Sequence, residues 1–334
     1  MGEEGSQSGE RSTRTTLADV AIRAGVSSMT VSRVVRGGHA VGGSTREKVL
    51  KVIEELNYRP DPVLSALAAY RTAGAEKGDG STVVFLDRDG SQYSREVLVG
   101  ARREALSVGY SIERHPLPVS LKERKSFSRV LFHRGVRGLL LGPSDHETNL
   151  EEWPWENFAG VSIGAVEHRP VLHAVAPDYF WGSFSAVKIL LDRGSSRIGF
   201  VVNTELEGRT GHRWLGGYLA GIGDQSPLIF KGKAGSRRSF SYWCRRNELD
   251  GIITIHDSLF CGWPGDASRF LLLNDFAVGD NELLDQVPRL SSDCARLGAD
   301  GMRMLHQHLL RREYGVPELP RRSLLQGRWS ALSA

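Results

Sequence analysis

Cysteine is scarce: Cys244, Cys261 and Cys294 stand far apart in 334 residues, with no Cys-x-x-Cys pair or Cys/His cluster. That odd, scattered set excludes a disulfide framework and a zinc site, so no metal is expected and no cofactor is called for. Free thiols suit a reducing compartment, and the cytoplasm is the expected location. No apolar run approaches the ~18 residues of a membrane span, so no membrane partner is expected. The opening stretch, MGEEGSQSGERSTRTT, has no apolar core and is not a secretory signal. Gly2 and Ser6 satisfy the loose myristoylation pattern, but a Gly/Ser/Glu tail explains them better, and residues 1–14 are expected to be a disordered tail.

What is present reads as a globular chain long enough for more than one domain, 40% apolar and 25% charged. Its charge is uneven. Residues 1–10 hold three acids and no base, whereas residues 11–71 hold ten Lys/Arg against five Asp/Glu. A small basic N-terminal segment suits a polyanionic partner.

The local signals there are specific. Thr16 can cap a helix that starts at Leu17 and carries Leu17, Val20, Ala21 and Ala24 on one face. Gly25 supplies the left-handed residue that ends it, and Ser27 caps a second short helix over about 28–36 with Val31, Val34 and Val35 inside. In STRE, Ser44 and Glu47 predict a capping box for a third helix with an apolar stripe of Val49, Leu50, Ile53 and Leu56. Three short helices with a tight glycine turn describe a helix-turn-helix. The second helix carries small, hydroxylated or basic side chains outside, a low face that fits a major groove. Ser28, Met29 and Arg33 are the candidates for base edges: Arg33 can pair bidentately with guanine and Met29 can touch a thymine methyl. Ser27, Thr30 and Ser32 can reach phosphates. The competing reading, a plain three-helix bundle with solvated side chains, leaves the agreement of turn, caps and charge unexplained.

The stretch TTLADVAIRAGVSSMTVSRVVRGGHAVGGSTREKVLKVIEELNYRPD resembles the DNA-binding headpiece of the lac repressor family of bacterial transcription regulators. The resemblance implies base contacts at Ser28, Met29 and Arg33 and phosphate contacts at Thr16, Ser27, Thr30 and Ser32. It also implies a hinge helix in DPVLSALAAYR, with Leu67 wedging into the minor groove at the operator centre. The stretch departs from the family pattern at Met29, Arg36, Pro62, Leu64 and Ser65. The expected partners are double-stranded operator DNA and a second copy of the chain. The chain ends in GRWSALSA without the leucine-rich tetramerisation helix known in that family, so dimers are expected.

RTAGAEKGDGS, residues 71–81, reads as a linker. Beyond it strands and helices alternate: TVVFLD, then a helix ending at Gly109, then GVRGLLLG and FAGVSIGAV, then a helix ending at Gly194, then RIGFVV, DGIITI and RFLLLND. Such alternation predicts parallel sheets covered on both faces. RGVRGLLLGPSD, DYFWGSFSAVKILLDRGSSRIGFV and LGADGMRMLHQHLLRREYGVPELPRRSLLQGRW resemble, in order, the family's effector domain, whose fold is that of periplasmic sugar-binding proteins. The fold class expected is therefore α + α/β. A helix-turn-helix headpiece (15–60), hinge helix and linker (61–81) precede a two-lobed periplasmic-binding-protein-like domain (82–334). Its lobes would span 82–167 with 284–321, and 168–283 with 322–330.

The same resemblance places the ligand arginine at Arg213, a second ligand position at His256 in HDS, and an acidic one at Asp275 in NDF. Asp87 and Asp89 end the first strand, where ligands approach parallel sheets. These groups can hydrogen-bond a small polar effector such as a sugar; a structural ion-pair set is the alternative. Two stretches stay open between roles. Asp178–Gly182 could stack on a ligand or fill a core, and RRSFSYWCRRNELD reads as an amphipathic helix rather than a nucleic-acid patch. GVSIG matches the nucleophile-elbow pattern at Ser162, but no helical period follows, so no catalytic residue is assigned and a hydrolase is not expected. A sugar-binding protein without a DNA role would leave the first seventy residues unexplained.

Overall fold

The computed structural model describes residues 15–35, 41–56, 58, 82–88, 90–144, 146–166, 168–202, 207–208, 210–231, 237–274 and 287–330. The chain divides into two compact units, residues 1–72 and 73–334.

In the first unit α1 (Leu17–Ala24) begins at a capping box. Thr16 accepts from the Asp19 amide while Asp19 accepts from the Thr16 amide. Gly25, at φ 64°, closes the helix by donating its N–H back to Ala21 and Ile22. After two residues α2 (Ser28–Val35) starts, and α3 (Gly43–Glu55) completes the unit. Val20, Ala21, Ala24, Val31, Val34, Val49 and Val52 form one buried core. The third helix differs from the sequence expectation. It starts at Gly43 after Gly42 with no side-chain cap, so Ser44 already lies in the first turn and does not cap it. Val41 packs against the core just before, and the chain turns into the helix directly after that anchor.

The second unit contains two parallel sheets. The first runs in the order β11-β5-β4-β3-β1-β2, from β1 (Thr82–Asp87), β2 (Ser111–Pro116), β3 (Gly138–Leu141), β4 (Ala159–Ile163), β5 (His173–Pro177) and β11 (Arg322–Leu325). The second runs in the order β7-β6-β8-β9, from β6 (Ile198–Val202), β7 (Leu228–Lys231), β8 (Gly251–Thr254) and β9 (Phe270–Leu272). Helices α4 (Gln92–Ser107), α5 (Leu121–His133) and α9 (Cys294–Arg311) cover the first sheet. Helices α6 (Tyr179–Asp192), α7 (Arg213–Ile222) and α8 (Arg237–Arg246) cover the second. Between α4 and α9 the backbones nearly touch: a Cβ on Gly298 would fall 1.8 Å from the Val97 carbonyl oxygen.

The lobe boundaries expected from sequence need correcting. His173–Pro177 and Arg322–Leu325 pair with each other in the first sheet, not in the second lobe. Only Arg328–Trp329 (β12) returns to the second lobe. There it pairs antiparallel with β10 (Leu290–Ser291), and Trp329 packs on the second core. The chain thus crosses between the lobes near 178, 292 and 327, and the crossings lie side by side. Asp178 donates its amide to the Leu325 carbonyl at 2.8 Å, and any Cβ on Gly327 would strike the Ser291 oxygen.

Candidate DNA-binding face and effector cleft

The outer face of α2 carries Ser28, Met29 and Arg33, all exposed, with Ser32 half-buried beside them. Met29 is 63% exposed. The Arg33 guanidinium rests on its sulfur, Nη2 to Sδ 3.7 Å, one helical turn away. That i, i+4 contact steers the arginine outward, and the spacing alone could have revealed it. Ser27 and Thr30 form a second pair. Their hydroxyls lie 2.9 Å apart, and the Thr30 amide donates to the Ser27 oxygen at 3.2 Å. Of their two hydroxyl protons one is spent within the pair, leaving one to donate outward. Thr16 is more committed. Its hydroxyl and its amide both donate to the Asp19 carboxylate, at 2.7 and 2.8 Å, and these bonds hold the Asp19 carboxyl below its usual range. Arg36, Pro62, Leu64, Ser65 and Leu67, with the expected hinge helix, lie outside the described residues.

In the second unit, parallel sheets place the candidate ligand groups at carboxyl ends of strands. Asp87, at the end of β1, is buried and already taken. Arg114 on the neighbouring strand donates Nε to its Oδ2 at 2.9 Å and adds Nη2 at 2.5 Å. Asp87 therefore reads as half of a structural ion pair. Arg213 opens α7 and donates Nη1 to the Thr210 carbonyl at 3.1 Å. Its charge acts on Tyr179, whose phenol lies near Tyr93 and whose ring meets Trp214 edge-on at 4.4 Å. Burial pushes that phenol far above its ordinary value. Around Tyr179, then, the amino ends of α4, α6, α7 and α9 come together, with Tyr93, Tyr179, Arg213 and Cys294 as their contributions. From that group sequence reasoning placed Arg213 at the ligand and left Tyr179, in the run 178–182, open between ligand and core. The aromatic at the start of α4 was the signal it passed over.

His256 follows β8. Its Nε2 is buried without a partner among the described residues, and burial lowers its basicity, so it is a neutral group able to donate or accept. Asp89 and Asp275 lie outside the described residues. Glu207, which the sequence gave no reason to single out, is buried. One oxygen accepts from the Leu215 amide at 3.4 Å, capping α7 in place of His212, while the other has no partner among the described residues. Burial raises its carboxyl above the ordinary range. A cavity of about 280 Å³ opens beside the lobe crossings, lined by Glu96, Ser291, Ser292, Asp293, Arg296 and Arg328 among others. It is polar, and none of the ligand residues expected from sequence lines it.

The aromatic run at 178–182 divides between roles. Tyr179 and Trp181 pack on the core of the second lobe, whereas Phe180 is 44% exposed and stacks on Phe184. Ser162 sits within β4, opposite Leu141 and Ala174, with no helix at its end; the elbow geometry is not formed. Among the described residues no group of His, Cys, Asp or Glu could hold a metal ion. No helix there is long and apolar enough to cross a membrane.

Residues 16–61 match the model of the lacI family of bacterial regulatory proteins. Those residues are a lacI-family helix-turn-helix domain. The HTH-type transcriptional regulator RegA of Clostridium saccharobutylicum is 25% identical over 324 residues, 91% of this chain and 95% of its own length. Catabolite control protein A of Priestia megaterium is 31% identical over 191 residues, and the transcriptional repressor PurR of Proteus mirabilis 30% over 208. The chain spans 55% and 58% of those two relatives. Among solved structures, a lac repressor dimer bound to operator and an anti-inducer aligns with 95% of this chain and 98% of its own, at a TM-score of 0.53 and 17% identity. A putative ribose operon repressor from Burkholderia thailandensis aligns with 75% of this chain and 99% of its own, at a TM-score of 0.54 and 21% identity. These likenesses establish a lacI-type headpiece followed by a periplasmic-binding-protein-like α/β unit. These relatives are transcriptional regulators, not enzymes.

Proposed function

We infer that this lacI-family regulator is a cytoplasmic repressor that binds a pseudo-palindromic operator as a homodimer. The observation that carries the reading is the outer face of α2, where Ser28, Met29 and Arg33 stand exposed directly after a tight Gly25 turn. Arg33 reads a guanine edge, braced on Met29, whose methyl end contacts a thymine methyl. Ser32 and the spare proton of the Ser27–Thr30 pair bind phosphate. At Thr16 the backbone amides of the first turn serve better than the hydroxyl, which is given to Asp19. Leu67 takes the minor-groove wedge. The second unit binds a small, hydroxyl-rich effector such as a sugar, with Arg213 and His256 as polar contacts and the acids at 89 and 275 completing them. Asp87 shapes the cleft through Arg114 rather than touching the ligand. Ligand binding biases lobe closure, and so the separation of the two headpieces, by a coupling free energy.

The test is selection of bound sequences from a random duplex library with full-length protein at a stated, near-physiological salt. An enriched palindrome with a central C-G step supports dimeric readout and the Leu67 wedge together. Salt-sensitive binding with no enriched sequence refutes the specific-repressor reading.

A further inference from the structure

The RRSFSYWCRRNELD stretch forms α8, and its inner face is plain core. Phe240 and Cys244 are buried, and the Trp243 ring packs 5.2 Å from Phe230. The outer face is not explained by that packing. Arg237, Arg238, Arg245 and Arg246 are exposed there, and Tyr242 is 66% exposed among them. Residues 231–246 hold six Lys/Arg and no Asp/Glu, in a chain whose net charge is only +4. Everything outside this one stretch sums to a negative charge.

Helix electrostatics does not account for the arrangement. Arg245 and Arg246 sit in the last turn, where the helix dipole favours cations, but Arg237 and Arg238 sit in the first, where it opposes them, and no acid accompanies them. Partners do not account for it either. Arg237 donates to the neutral Ser258 carbonyl at 3.1 Å, and among the described residues no carboxylate pairs with Arg238, Arg245 or Arg246. Elsewhere on this unit several exposed arginines pair with carboxylates, as in Arg134–Glu113, Arg169–Glu147 and Arg303–Glu104, and Arg102 and Arg103, which do not among the described residues, share α4 with Glu96 and Glu104.

Arg238, Tyr242 and Arg245 recur at i, i+4 and i+7, one stripe about 10 Å long with Arg246 at its flank. Exposed Tyr and Arg above a half-buried Trp is the composition concentrated at the centres of protein interfaces. The stripe is short and bounded by negative charge. Glu248 lies exposed just past the helix end, and Asp257 begins the turn packed against it. A duplex backbone continuing past the C-terminal end of the stripe would meet the exposed Glu248 carboxylate; a short acidic segment ends before it.

We propose that the outer face of α8 is a docking site for an acidic segment of a partner protein. Carboxylates of that segment pair with Arg238, Arg245 and Arg246, and an apolar side chain lies on Tyr242. The test uses full-length protein and two fluorescein-labelled peptides of about a dozen residues, one of alternating Glu and Leu, the other with Gln for each Glu. Fluorescence anisotropy is expected to give at least tenfold tighter binding of the Glu peptide, roughly 1.4 kcal/mol. The triple variant Arg238→Gln/Arg245→Gln/Arg246→Gln should remove that preference and Tyr242→Ala weaken both peptides, with unchanged melting temperature and affinity for duplex DNA. Equal binding of the two peptides, or none, overturns the proposal. So does a loss of duplex affinity in the triple variant matching its loss of peptide, which would mark the face as a nucleic-acid surface.

Discussion

Gly216 and Gly217 are neighbours in α7, yet alanine at the two positions should move stability in opposite directions. A Cβ at Gly217 would lie 2.1 Å from the Phe180 carbonyl oxygen and 3.1 Å from the Phe184 amide, both backbone atoms of α6. A Cβ at Gly216 would meet only the edge of the Phe180 ring, at 3.7 Å. Both substitutions return about 1 kcal/mol of helix propensity. At Gly217 the helices must also part by about 1 Å, and such a gap forfeits roughly a quarter to a half of each contact's attraction across their seam. That seam includes Val187, Leu190, Trp214, Tyr218 and Ile222, all buried. Overpacking costs about 1–3 kcal/mol, and a clash with immovable backbone puts it at or above the upper end. The net loss is about 2 kcal/mol, a fall of about 4–8 °C in the melting temperature of a unit this size, whereas Gly216→Ala should raise it by about 2–4 °C. Scanning calorimetry of both variants decides. Shifts of the same sign, or a Gly217→Ala protein as stable as the parent, would refute the close helix contact.

Arg33→Ala should cost ~1–3 kcal/mol of operator affinity and relax specificity at one base pair, while Met29→Ala should reproduce part of that loss by releasing the guanidinium; competition with single-base operator variants measures both. An equal loss on every sequence would make Arg33 a phosphate contact. Burial lowers the basicity of His168, whose Nδ1 accepts from the Thr148 amide. The unfolded chain then binds the extra proton first, so stability should decline as pH falls below the ordinary value near 6.5. His168→Gln should flatten that decline in melts at successive pH values, and an unchanged slope would exclude this histidine. Native protein should show one fast thiol toward an aromatic disulfide reagent. Cys261 is exposed, while Cys244 is buried with its thiol pushed up to about 12 and Cys294 is buried.

Legibility followed the range of the forces involved. Thr16, Gly25 and Ser27 act within four residues, so the first two helices could be placed from sequence almost to the residue. The cap of α3 was missed by two residues, Gly42 for Ser44, because Val41 packing, a tertiary contact, outranked the serine cap. Strand β2 gave no apolar run, being a half-exposed sheet edge. The pairing of Arg322–Leu325 with His173–Pro177 joins segments nearly 150 residues apart, and no local pattern reports it. At the end of β1 a carboxylate was legible, but the Arg114 beside Asp87 was not.

That distant pairing also orders events on the ribosome. The first lobe begins with β1 at Thr82 but lacks its covering helix until residue 311 and its edge strand until residue 325. The Glu104–Arg303 pair alone closes a separation of 199 residues. The second lobe's sheet, from 198 to 272, emerges whole well before then. At about 5–20 residues per second, the sheet begun first waits several seconds with one face only partly covered, by α4 alone. A nascent chain whose first 290 residues have emerged should therefore hold a formed second-lobe sheet beside an unfinished first lobe, and that pause is when a chaperone would find it.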